Sequence, residues 1–243
     1  MKENLPIQQR PSTKALVFGI SQSGKSTFAL WLCLQIGKQL IIWDANEVFV
    51  ALVKNPCCTP QDLQEAIEKK EPVIVYDASG YEDKHEHFKE FANVVERYDG
   101  HTLLIDESGD VQRAIDPNSG LDRLLRRAGR RRNDIVETTH RPTDLATLNR
   151  NLTTDVFLFF MWNRKGLQNV ANEFGDEVAE AESQLDPDGF QFIQLDPHTG
   201  RFQVVDNPEA WFIDLEKPIS EKRRVRLPER NPNLWNEAPY GIQ

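Results

Sequence analysis

The sequence predicts an α/β layered domain: a mainly parallel sheet flanked by helices, with a β-hairpin and an extended arm at the C-terminal end. Three observations carry this. Short apolar runs alternate with segments of helical spacing from residue 14 to residue 161, and runs that are apolar throughout are those buried on both faces of a parallel sheet. The first such run leads into a Gly/Ser loop and then an apolar helix, through Gly19-Ile20-Ser21-Gln22-Ser23-Gly24-Lys25-Ser26. Beyond residue 189 the pattern becomes two short strands around Asp196-Pro197-His198-Thr199-Gly200, the spacing of an antiparallel hairpin.

In chain order, residues 14–19 read as a strand ending in Gly, and 27–36 as a mostly buried helix. Residues 39–43 form a second strand, ending at Asp44. A helix over 61–70 follows Thr59-Pro60, an N-cap with Pro at the first helical position. A third strand spans 72–77, and 84–98 carries Phe88, Phe91, Val94 and Val95 at helical spacing. Asp99-Gly100 turns the chain into a fourth strand, 101–106; a helix over 122–132 and strands over 135–139 and 156–161 come next. The hairpin strands are 189–195 and 202–205. From residue 217 onward Pro218, Pro228, Pro232 and Pro239 exclude regular structure. The expected division is an N-terminal extension 1–13, one domain 14–215 and an extended arm 216–243.

A chain of 243 residues can bury a core without disulfides or metal. Cys33, Cys57 and Cys58 form no C-x-x-C pair, and the adjacent two cannot bridge without strain, so neither a disulfide framework nor a zinc knuckle is indicated. Residues 1–13 lack the apolar stretch of a signal peptide, and the longest apolar run, 156–162, is too short to span a bilayer. The expectation is a soluble, cytoplasmic protein with no membrane insertion.

The formal net charge of −9 argues against a general nucleic-acid coat, which needs clustered Lys and Arg. Yet Arg123, Arg126, Arg127, Arg130, Arg131 and Arg132 crowd residues 121–132 against one acid, Asp122, and Lys222-Arg223-Arg224 with Arg226 form a second basic group. Acidic overall with local basic stripes suits a machine that touches a polyanion at one surface. His85-Glu86-His87 resembles a ligand pair, but positions i and i+2 diverge on a helix, so the segment reads as surface. Phe157, Phe159, Phe160, Met161 and Trp162 read as core and subunit contact.

The loop has the pattern G-x-x-x-x-G-K-S. Its glycines, Gly19 and Gly24, let backbone N–H groups, including those of Gln22, Ser23 and Thr27, converge on phosphates; Lys25 reaches the β- and γ-phosphates; the Ser26 hydroxyl ligates Mg²⁺. A nucleoside triphosphate, ATP with Mg²⁺, is the expected ligand. The strand 101–106 supplies Asp106, which would hold the metal, and Glu107, a carboxylate placed to polarise an attacking water; without the loop, such an Asp-Glu pair is an ordinary solvated turn. Glu137-Thr138-Thr139-His140-Arg141-Pro142 closes the fifth strand, where a polar tip can contact the γ-phosphate and the water. His140 or Thr139 would serve.

The loop, the Asp106-Glu107 strand end and the Thr-Thr-His-Arg-Pro strand end follow the order seen in the HerA/FtsK superfamily of DNA-pumping ATPases. The last segment resembles that group's Ala-Thr-Gln-Arg-Pro stretch, with His140 where Gln is usual. Trp43-Asp44-Ala45-Asn46-Glu47 is similar to its acidic segment after the second strand. The resemblance covers residues 14–205, and small size with no membrane or DNA-orienting parts makes it closest to the viral, tectivirus-type genome-packaging branch.

That resemblance implies a RecA-like (ASCE) P-loop NTPase working as a homo-oligomeric ring, a hexamer, that moves double-stranded DNA into a preformed capsid. Capsid or portal-vertex proteins are its expected partners, and its location is the host cytoplasm or the packaging vertex of the virion. It also implies an arginine acting on the neighbour's γ-phosphate, for which Arg130, Arg131 and Arg132 stand in the matching place, and leaves Arg123, Arg126 and Arg127 to meet DNA phosphates in a central pore. A solvated basic helix face is the plain alternative. The Lys222–Arg226 group is open to DNA, capsid or a neighbouring subunit. A cellular or plasmid DNA pump and a nucleotide-gated assembly or export protein are the competing readings.

Overall fold

A computed structural model describes residues 12–112, 120–141, 151–161, 164–186 and 189–206. The expectations for residues 1–11, Pro142, Trp162 and the arm 216–243 with its basic group fall outside the described residues.

The strands are β1 (Lys14–Phe18), β2 (Gln39–Asp44), β3 (Val73–Asp77), β4 (His101–Ile105), β5 (Asp134–Thr139), β6 (Asp155–Phe159), β7 (Phe192–Leu195) and β8 (Phe202–Val205). They form one sheet in the order β3-β2-β4-β5-β1-β6-β7-β8. The first six are parallel, and β7 and β8 add antiparallel to β6 and to each other. Parallel pairing puts the C-terminal ends of all six on one edge. Because β5 separates β1 from β4, the tips of these three strands lie side by side there, with Phe18 opposite Thr139 and Ile105 opposite Glu137.

Alternation along the strands divides the core into two faces. Helix α1 (Lys25–Ile36), buried from Phe28 to Cys33, covers one with a 3-10 turn, Val50–Leu52, packing on Ala15, Val17, Ile42, Leu104, Val136 and the β6–β7 aromatics. A helix apolar all round is expected where sheet lies on one side and further chain on the other. The opposite face carries α2 (Pro60–Glu68), α3 (Lys84–Val95) and α5 (Gly120–Arg131) over β2 to β5, and α6 (Arg164–Phe174) and α7 (Asp176–Ser183) over β1, β6 and β7. Between β4 and α5 lies a single turn, α4 (Ser108–Val111).

The local signals explain the boundaries. Thr59 caps α2 in a reciprocal box with Asp62, and Pro60 occupies the first helical position. α3 stops at Val95, short of residue 98, and Gly100 at φ 80° makes the turn into β4. α6 and α7 have no counterpart in the sequence reading, because α6 buries only Gly166 and Val170, too narrow an apolar stripe to stand out.

One expectation is overturned. His85 and His87 are not surface residues: His85 is buried with Nδ1 2.7 Å from the Val111 carbonyl oxygen, and His87 lies 2.5 Å from the Tyr76 hydroxyl and stacks on Tyr81. The two rings do diverge, but both neighbouring directions are occupied, by α4 on one side and the β3 edge on the other.

Candidate active site

The loop after β1 is tied to the strand tips on either side of it. Gly19 N–H donates to the Thr139 carbonyl (3.3 Å), and Ile20 N–H to that of Phe160 (3.4 Å). A side chain at Gly19 has no room, since a Cβ there would stand 2.5 Å from Ser23 Oγ and 2.7 Å from Phe159 Cβ. Gly24 enters α1 in the left-handed region, φ 90°, which glycine adopts without strain. Gln22, at φ 67°, is also left-handed. Ser26 and Thr27 lie half-buried in the first turn.

This loop fits a triphosphate on three counts. Close backbone approach is enforced by Gly19, the N-terminal N–H groups of α1 have no side-chain cap, and the buried Ser23 hydroxyl has no hydrogen-bond partner among the described residues. Mg²⁺ fits as well, because the Ser26 hydroxyl and the Asp106 carboxyl are hard oxygen donors. Among the described residues no three or more His, Cys, Asp or Glu side chains cluster as a metal site.

Lys25 and the two acids meet at the tips of β4 and β5. Lys25 Nζ lies 3.0 Å from Glu107 Oε1, and His140 Nε2 lies 3.2 Å from the same oxygen. His140 Nδ1 stands 3.3 Å from the Gly19 carbonyl oxygen, so the imidazole bridges the acid and the loop. Glu107 takes a left-handed conformation, φ 49° and ψ 56°, which turns its side chain away from the line of β4. Burial pushes the Asp106 carboxyl up to about 7, with the charges of Glu107 and Asp44 adding to the rise and Thr138 and Lys25 opposing it. A cation beside it would favour the ionised form.

Sequence reasoning missed the residue that organises these acids. Thr138 Oγ1 donates to Asp106 Oδ1 (2.7 Å) and accepts from Glu107 N–H (3.1 Å), while Ser108 Oγ donates to the Thr138 carbonyl (3.2 Å). No signal in the chain marks it, since Thr is an ordinary strand residue. Asp44 is also more structural than its motif suggested. Its buried carboxylate accepts from the N–H groups of Asn46, Val48 and Phe49, folding the chain after β2.

The arginines do not join this cluster within one chain. Arg131 and Arg132 precede β5, at the edge of the sheet away from the loop: the Arg131 carbonyl accepts from Gly100 N–H, and the Arg132 carbonyl from Lys38 Nζ. Six residues of β5 place that edge roughly 20 Å from the site, beyond the reach of these side chains. On α5, Arg123 pairs with Glu96 and Asn93, Arg127 with Glu96 and Arg131 with Asp99. Arg126, Arg130 and Arg132 are exposed and form no ion pair among the described residues.

No protein-family model and no curated protein sequence matches the chain. Solved structures do match in fold. The genome packaging NTPase B204 of Sulfolobus turreted icosahedral virus 2, in complex with AMPPCP, superposes with a TM-score of 0.65 at 18% identity over 82% of this chain and 98% of that one. VirB4 of Thermoanaerobacter pseudethanolicus gives a TM-score of 0.58 at 14% identity over 83% and 91%. The cytoplasmic domain of the type VII secretion ATPase EccC of Thermomonospora curvata gives 0.51 at 13% identity over 83% of this chain and 24% of that one. The chain therefore has the fold of a P-loop ATPase of the kind represented by viral genome-packaging and secretion ATPases.

Proposed function

We propose that the chain is an ATPase that drives double-stranded DNA through a homo-oligomeric, hexameric ring, as the motor that packages a viral genome into a preformed capsid. One observation carries the chemical part: Glu107, beside the metal acid Asp106, is joined through one carboxylate oxygen to the loop lysine and to the tip of β5. The triphosphate binds on the N–H groups of the loop and on Lys25, with Ser26 and Asp106 holding Mg²⁺. Bound there, the cation would draw negative charge from the transferring phosphoryl group. Glu107 takes a proton from water as its oxygen attacks the γ-phosphorus, the bond to the β-phosphate oxygen breaks, and ADP and phosphate result. His140, touching both Glu107 and the Gly19 carbonyl, relays loss of phosphate to the strand tip. An arginine from the neighbouring subunit, Arg130, Arg131 or Arg132, stabilises the departing charge.

Similarity in fold to a packaging NTPase supports the cargo, as does the exposed basic face of α5. A host-cytoplasmic or virion-vertex location accords with it, and among the described residues no helix is long and apolar enough to cross a membrane. The likeness to EccC favours one competing reading, export of protein. Turnover measured with and without double-stranded DNA separates them. The motor reading expects DNA to stimulate hydrolysis, and indifference to DNA at saturating ATP would overturn it. Glu107→Gln is expected to bind ATP as the wild type does and to lose hydrolysis; retained hydrolysis removes Glu107 from the role of base.

A further inference from the structure

We infer that Phe190 is the nucleobase platform of this site, an inference that rests on the phosphate-loop reading and extends it to the part of the ligand the loop cannot read. Phe190 packs directly on the loop: its Cδ1, Cε1 and Cγ atoms lie 2.9, 3.5 and 3.8 Å from where a Cβ on Gly24 would stand. Two residues on, Phe192 is fully buried against Phe28, with ring centroids 4.9 Å apart. The spacings agree, since two residues of extended chain cover about 6.6 Å and the four from Gly24 to Phe28 rise about 6 Å in a helix. The aromatic layer between α1 and the sheet thus continues past the core and ends at the phosphate loop.

Phe190 does not merely close that core. It is 36% exposed, one of two large hydrophobic side chains left exposed among the described residues, and it holds φ 50°, a region costly for a bulky residue that the surrounding structure must enforce. The surrounding turn keeps it there. Gly189 N–H donates to the Asp186 carbonyl (3.2 Å), Gln191 Oε1 accepts from Asp186 N–H (2.9 Å) and Gln191 Nε2 donates to Asp206 (2.6 Å). A flat apolar ring, fixed and open beside a polyanion cradle, suits the π-face of a base carried by the same phosphates.

The test is calorimetry on the full chain with Mg²⁺, comparing ATP with inorganic tripolyphosphate. The wild type is expected to bind ATP more tightly. Phe190→Ala should weaken ATP roughly ten-fold and leave tripolyphosphate unchanged, and Phe190→Trp should restore ATP affinity, with an indole emission that responds to ATP and not to tripolyphosphate. Equal weakening of both ligands by Phe190→Ala, or no weakening of either, overturns the inference, because the ring would then only support the loop or do nothing. A wild type that binds both ligands equally well overturns the platform alone. One that binds neither overturns the phosphate-loop reading, and the platform with it.

Discussion

A single hydroxyl, Thr138 Oγ1, holds two adjacent acidic residues in register: it donates to the side chain of Asp106 and accepts from the backbone of Glu107. Replacing it by an isosteric methyl leaves a buried N–H and a buried carboxylate oxygen each short of a partner, at about 1–3 kcal/mol apiece. Thr138→Val is therefore expected to lower kcat at least about ten-fold, with little change in the KM for ATP and a higher Mg²⁺ requirement, while Thr138→Ser keeps most activity. Steady-state kinetics across a Mg²⁺ titration check this. At this scale the sequence was uneven. Gly19, Lys25 and Asp106-Glu107 were legible because a motif fixes residue type and spacing. Thr138 was not, because its role depends on the strand beside it.

Among the elements, α5 and α3 show how a basic run can be divided. Arg123, Arg127 and Arg131 stand four apart and meet Glu96 and Asp99, which follow the end of α3, whereas Arg126 and Arg130 face solvent. Exposed pairs contribute about 0.2–1 kcal/mol each. Glu96→Gln, which removes the partner of both Arg123 and Arg127, should thus cost at most about 2 kcal/mol in denaturant unfolding. Arg126→Ala should leave stability unchanged but diminish stimulation by DNA. The sequence showed the charge; only the neighbouring helix decided which arginines are neutralised.

On α7, Glu182 is buried, its Oε1 accepts from Met161 N–H, and its Oε2 lacks a partner among the described residues. Burial raises its carboxyl from an ordinary 4.5 to about 7. The folded state then holds the proton more tightly than the unfolded chain does, so this contribution to stability is present below about pH 4.5 and is lost as pH rises through about 7. Thermal unfolding across that window should show a fall in Tm with rising pH that Glu182→Gln flattens. Neither this burial nor α6 and α7 themselves were legible, since polar segments with one or two buried residues gain their helical packing from the sheet edge they cover.

Over the whole molecule, one aromatic hub joins the phosphate-loop helix to the antiparallel extension. Phe28 on α1 touches Phe157, Phe159 and Phe192, with ring centroids 4.8, 5.4 and 4.9 Å away. Phe28→Ala is expected to cost about 3–5 kcal/mol and to lower Tm measured by calorimetry. The arginines at the far edge of the sheet make a separate prediction about assembly. Mixing Arg132→Ala subunits with Lys25→Ala subunits should restore part of the ATPase activity that each lacks, if Arg132 acts on the site of its neighbour; rings that form at every ratio without recovery would exclude that residue.

The sequence alone determined the succession of strands and of helices α1, α2, α3 and α5 between them, the parallel class of the sheet, the hairpin and the residues of the phosphate loop with its paired acids. These follow from local periodicity, turn chemistry and fixed spacing, which neighbouring residues carry among themselves. Tertiary structure decided the order of strands, with β5 set between β1 and β4, and through it the meeting of Lys25, Glu107, Thr138 and His140. It also decided which arginines are paired and where Phe190 lies. Such contacts join residues tens to more than a hundred positions apart, and they exist only once burial of the two sheet faces has chosen one packing.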